Sequence, residues 1–154
     1  MRVLFVGPSL SGGDVDLRGL DVRAPARQGD LHRATCEGAS VIGLVDGYFG
    51  EAASVWHKEV LFALSRGVRV LGASSLGALR AAECASYGME PVGAIALAYL
   101  RGRLVDDDAV ALLHGPAEMD YMPLTEPLVD SLATIGRLWR QGLVSSSERR
   151  ALES

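Results

Sequence analysis

Two adjacent hydroxyls, Ser74 and Ser75, sit where a short apolar run meets a helix-forming one. Residues 67–83 read GVRVLGASSLGALRAAE. The first part is β-branched and apolar, the middle is small, and the last part is rich in Ala, Leu, Arg and Glu, which favour helix. A strand that feeds a helix through small residues lifts a side chain onto the rim of a sheet. It also aims the helix's first free amides at whatever binds there. That is the logic of a nucleophile elbow. The strict G-x-S-x-G spacing is absent: Ser74 stands two after Gly72, but Gly77 comes one residue late. Ala73 and Gly77 flank Ser75 in a small-x-S-x-G pattern. A serine before a helix also serves simply as an N-cap, so the chemistry rests on what else reaches this turn.

Several groups are candidates. Asp46 follows the apolar run 40–45, where α/β proteins place functional carboxylates; an Asp before Gly is equally an ordinary turn. His57, Lys58 and Glu59 put a base, a cation and a carboxylate into the first turn of a helix expected over 54–65, with Ser54 as its cap. Glu59 there also suits the helix dipole. The Gly-rich loop 7–13 carries Ser9 and Ser11 and offers backbone N–H groups to an anion. It has neither G-x-G-x-x-G nor a Gly-Lys-Ser/Thr ending. Arg80 lies in the helix after the serines, and His114 in the turn HGPAE. Asp106, Asp107 and Asp108 are consecutive, so they point in different directions and read as a solvated turn; no metal and no cofactor are expected. Acyl chemistry would use Ser75 as nucleophile, His57 as base and Asp46 or Glu59 as its orienter, with amides for an oxyanion. Ser74 is the alternative hydroxyl. Anion binding would use Ser9, Ser74, Lys58, Arg80 and His114 without catalysis.

The elements must bring these groups to one edge. Apolar runs at 2–6, 40–45 and 68–71 read as buried strands, with a short edge strand at 20–23 ended by Pro25. Helices are expected over 31–38 (capped by Asp30), 54–65, 76–83, 92–100 and 128–142. Residues 109–113 read as a strand or short helix, and Ser145 to Glu148 as the cap of a last helix. Alternating strands and helices predict a single α/β domain with a mostly parallel sheet and helices on both faces. In such sheets ligands bind beyond the carboxyl ends of the strands.

Composition narrows the classes. The chain has 154 residues and a net charge of −4, one domain with no basic footprint for nucleic acid. No apolar run is long enough for a bilayer, and residues 2–6 are too short for a signal peptide. Cys36 and Cys84 form no C-x-x-C pair and read as reduced core thiols of a cytoplasmic protein.

The segments GPSLSG, IGLVDGYF, WHKEVLFALSRGVRVLGASSLGALRAAE, YGMEPVG, DDDAVALLHGP and PLTEPLV together resemble TfuA-like proteins over roughly residues 1–135, leaving 136–154 as a helical tail of the same domain. The resemblance implies a partner of a YcaO enzyme in installing backbone thioamides on a peptide or protein, with a precursor peptide nearby. YcaO activates the amide oxygen with ATP. The TfuA-like partner would release sulfide by hydrolysing a thiocarboxylated, ubiquitin-like carrier of the ThiS type. On this view the Ser/His rim is the hydrolytic site, and Arg80 and Lys58 hold the carrier's carboxylate or the sulfide. The alternative is a non-catalytic scaffold or allosteric activator that docks on YcaO.

Overall fold

The computed structural model describes residues 1–10, 13–50 and 52–153; Ser11 of the candidate loop lies outside them. Strands β1 (Arg2–Phe5), β2 (Asp21–Arg23), β3 (Val41–Leu44), β4 (Arg69–Gly72) and β5 (Glu90–Pro91) form one sheet in the order β2-β1-β3-β4-β5. All four pairings are parallel, so this is the expected single α/β domain. β2 is an edge strand, as Pro25 requires. The chain leaves β1 for one side of the sheet and returns to its other side at β3. The crevice of an open α/β sheet lies at such a switch.

Side chains alternate across a strand, and burial follows that alternation. Val3, Phe5, Ile42, Leu44 and Val70 point into one core. Helices α1 (Asp30–Cys36), α2 (His57–Ser65) and α3 (Leu76–Cys84) cover it with Leu31, Ala34, Val60, Ala63, Leu76 and Ala81. The helical cover is uneven: on the other face Leu4, Val41, Gly43 and Leu71 are only half-buried. α3 lies very close to the sheet. A Cβ on Gly77 would collide with the carbonyl of Leu44, and one on Gly72 with the carbonyl of Gly77. Two glycines therefore set the depth at which α3 begins.

After β5 the chain adds α4 (Gly93–Leu100), α5 (Leu128–Arg140) and α6 (Ser146–Leu152). Leu79, Tyr99 and Val110 form a second small core there, flanked by Ile95 and Val129. α6 starts in the capping box read from the sequence: Ser145 Oγ accepts from the Glu148 amide, and Glu148 accepts from the Ser145 amide. Tyr99 donates its hydroxyl to the Asp106 carbonyl at 2.8 Å. Burial, reinforced by the carboxylates of Asp107, Asp108 and Asp106, pushes its phenol up to about 12. A raised folded-state value means that the phenol's contribution to stability is complete below the unfolded value near 10. It is lost as pH rises from there through about 12. Ultraviolet titration should show one of the four tyrosines ionising last, and Tyr99→Phe should remove that step.

Four local expectations change. α2 starts at His57 with Trp56 as N-cap, because Ser54 donates instead to the Tyr48 carbonyl at 2.6 Å. Gly29, not Asp30, is the N-cap of α1, and the Asp30 carboxylate accepts from the Arg27 amide. Residues Asp107–Val110 form a 3-10 turn in place of an element over 109–113, and His114, in the turn that follows, makes an isolated bridge to Pro123. Cys36 is exposed, whereas Cys84 is buried. Leu31 and Ala34 define the inward stripe of α1, and position 36 falls off it. Burial, aided by Glu83, raises the Cys84 thiol, with Arg80 opposing. Iodoacetamide at neutral pH should therefore label Cys36 alone, and Cys84 only after unfolding, as counted by mass spectrometry.

Candidate functional site

Three loops meet at the carboxyl edge around the switch point. The loop after β1 brings Gly7 and Ser9, the segment after β3 brings Asp46, and the turn after β4 brings Ser74 and Ser75. Asp46 is buried. Its Oδ2 accepts the amides of Gly7 at 2.8 Å and Ser9 at 2.9 Å. Its Oδ1 accepts the Ser9 hydroxyl at 2.7 Å. Ser9 Oγ lies 2.8 Å from Ser74 Oγ. A serine hydroxyl has one hydrogen. Ser9 gives its hydrogen to Asp46, so Ser74 must donate to Ser9. The chain of hydrogen bonds therefore runs in one direction, from Ser74 through Ser9 to a buried carboxylate.

Ser74 has a φ of +59°. A left-handed backbone at a non-glycine residue costs of order 1–3 kcal/mol, and such strain clusters at functional turns. Ser75 is the N-cap of α3 but makes no side-chain cap; its hydroxyl donates to the Val110 carbonyl at 3.1 Å. The Gly77 amide is taken by the Val45 carbonyl and the Ala78 amide by Ser75. Among the described residues no acceptor takes the amides of Ser75 or Leu76. Leu76 is fully buried, so of the two the Ser75 amide is the one within reach of a developing negative charge.

A cavity of about 390 Å³ opens beside this chain. Ser9, Ser74 and Ser75 line it together with Val110, Thr125 and Glu126. The segment from Pro123 to Pro127 contributes four of the lining residues. Its sequence, PLTEP, carries no sign that it lines the same cavity as Ser74.

The other candidates go elsewhere. His57 Nε2 faces the Glu83 carboxylate at 2.9 Å, and Arg80 donates to the same Glu83 oxygen at 2.7 Å. Arg80 also donates to the Val55 carbonyl, so this cluster ties α3 to the start of α2. Among the described residues no hydrogen bond joins His57 to Ser74 or Ser75. Glu59 is buried: Oε1 accepts the Trp56 amide, and Oε2 has no hydrogen-bond partner among the described residues. Lys58 is exposed on α2. The His114 ring packs edge-on to Tyr48 and Tyr121, 5.1 and 5.6 Å between centroids. Among the described residues no three His, Cys, Asp or Glu side chains converge to hold a metal, and no helix is long and apolar enough to cross a membrane.

The arrangement offers a hydroxyl, a directed path for its proton, and the free Ser75 amide beside a cavity. A family model described as TfuA-like protein matches residues 46–154. The match includes Asp46, Ser74, Ser75 and the 123–127 wall, reaches through the helical tail, and leaves out Ser9. No curated protein matches the chain.

Proposed function

This chain belongs to the TfuA-like family, and on that premise we propose that it serves a YcaO enzyme in backbone thioamidation by freeing sulfide from a thiocarboxylated, ThiS-like carrier protein. The observation that carries the reading is the directed Ser74–Ser9–Asp46 chain beside a cavity. Ser74 is the nucleophile in this reading, and Ser75 supplies its amide. Ser74 Oγ attacks the thiocarboxylate carbon, and its proton moves toward Ser9 and Asp46. The Ser75 amide receives the charge that builds on oxygen. The carbon–sulfur bond breaks, and the proton leaves with sulfur as hydrosulfide. Water then attacks the Ser74 ester, returns the hydroxyl proton and releases the carrier's carboxylate and one proton. Hydrosulfide is a good leaving group, so modest acid catalysis is enough.

His57, Glu83 and Arg80 hold α2 against α3 and keep the elbow in place. The test is sulfide release from a thiocarboxylated ThiS-type carrier by this protein alone. Wild type should release sulfide, Ser75→Ala should retain most of the rate, and Ser74→Ala should lose it. Sulfide that appears only when YcaO is present would instead make the protein a docking subunit.

A further inference from the structure

Parallel sheets are normally covered by helices on both faces, because each face is apolar. Here the three crossover helices share one core. On the opposite face the strand register sets Val22 beside Leu4, Leu4 beside Gly43, and Gly43 beside Leu71. The next row toward the strand starts is Arg2, Val41 and Arg69. Val22 and Val92, at the two sides, are 42% and 44% exposed. A groove of about 440 Å³ runs along this face, lined by Leu4, Val41, Gly43, Leu71 and Ala73. The Leu4 side chain leans over Gly43, its Cδ1 2.8 Å from where a Cβ would stand.

We infer that this face receives an amphipathic helix of a partner protein, with the helix's C-terminal end resting on Arg2 and Arg69. A helix from another chain is free of the crossover constraint, so the two arginines set its direction, antiparallel to the strands. Its C-terminus then lies at the strands' N-terminal ends, where the two arginines stand roughly 10 Å apart, two strand spacings. Helix C-termini carry free carbonyls and partial negative charge, which cations stabilise. Arg69 is held by Glu90 through two 2.9 Å contacts. Arg2 has no acidic partner among the described residues. Covering a four-residue strand of about 13 Å takes a helix of about nine residues. A second copy fits worse. Among the described residues Glu90 is the one carboxylate a stacked copy would bring to this patch, and it already serves Arg69, so Arg2 would gain no acidic partner.

The inference rests on the proposed function for one point, that the partner is the YcaO enzyme. Titration calorimetry of the full chain against YcaO tests both. Leu71→Glu and Arg2→Glu should each weaken binding at least tenfold while sulfide release by the protein alone stays unchanged. A photo-crosslinking phenylalanine analogue at position 41 should attach to a YcaO helix. Arg2→Glu and the crosslink keep the test sound if Leu71→Glu misfolds. Equal binding by wild type and variants would overturn the docking surface and leave the function standing. A dimer of this chain that Leu71→Glu dissolves would also overturn it, in favour of a second copy. Failure of the wild type to bind YcaO would overturn the functional reading, and the inference with it.

Discussion

Replacing Ser74 with glycine should abolish sulfide release without lowering thermal stability. The hydroxyl is the proposed nucleophile, and loss of such a group costs about three orders of magnitude or more in rate. The same residue holds φ at +59°. Relief of that strain is worth of order 1–3 kcal/mol. The added freedom of glycine in the unfolded chain offsets up to about 1 kcal/mol. The melting temperature should therefore hold or rise by a few degrees. A purely structural serine would behave differently: activity would survive in the glycine variant.

Asp46→Asn separates the proton path from the nucleophile. The two amides at Oδ2 need a carbonyl oxygen, so the asparagine NH2 must face Ser9. Ser9 would then accept from residue 46 and donate to Ser74, and the Ser74 proton would lose its acceptor. General acid–base contributions of this kind are worth about 10²–10⁴ in rate. Ser74→Ala and Asp46→Asn together should cost little more than Ser74→Ala alone, because both act in one step. A double variant whose losses multiply would detach Asp46 from the Ser74 step.

The strand–turn–helix at residues 67–83 was legible because its periodicity, small turn and helix formers agree locally. Asp46 was legible from its place after an apolar run. The partner of Ser74 was not. Ser9 lies 65 residues away, and their meeting depends on the order β1-β3-β4, which local pattern does not specify. Nor could sequence separate two adjacent serines; that choice rests on one backbone angle and on Val110, which arrives from beyond β5. His57 does start a helix near this edge. Packing of α2 beside α3 then gives it to Glu83, a residue that the spacing from Arg80 marks only as a helix neighbour. The half-covered sheet face was hidden for a related reason. Leu4, Val41 and Leu71 look like core residues in sequence, and only the shared side of α1, α2 and α3 leaves them half-open.

Gly77→Ala should be the most damaging single methyl in the chain. Its Cβ would fall on the Leu44 carbonyl, with the Val45 amide 3.1 Å away. Both belong to the backbone at the end of central strand β3, which cannot rotate aside as a side chain can. The Gly77 amide also donates to the Val45 carbonyl at 3.1 Å, so moving α3 outward stretches the bond that seats it. Overpacking costs typically about 1–3 kcal/mol and more where backbone is the obstacle. A loss of about 3 kcal/mol corresponds to a drop of roughly 6–12 °C in a domain of this size. The site should suffer with the fold, because Ser74 and Ser75 sit within one turn of the displaced residue. Gly136→Ala is the matched control. There a Cβ meets only the end of the Arg140 side chain at 3.6 Å, inside α5, and alanine should stabilise by up to about 1 kcal/mol. The same chemical change would then act with opposite sign at two helical glycines. Equal melting temperatures for the two variants would show that α3 does not start as close to β3 as the geometry requires. The depth of the elbow would then need another cause.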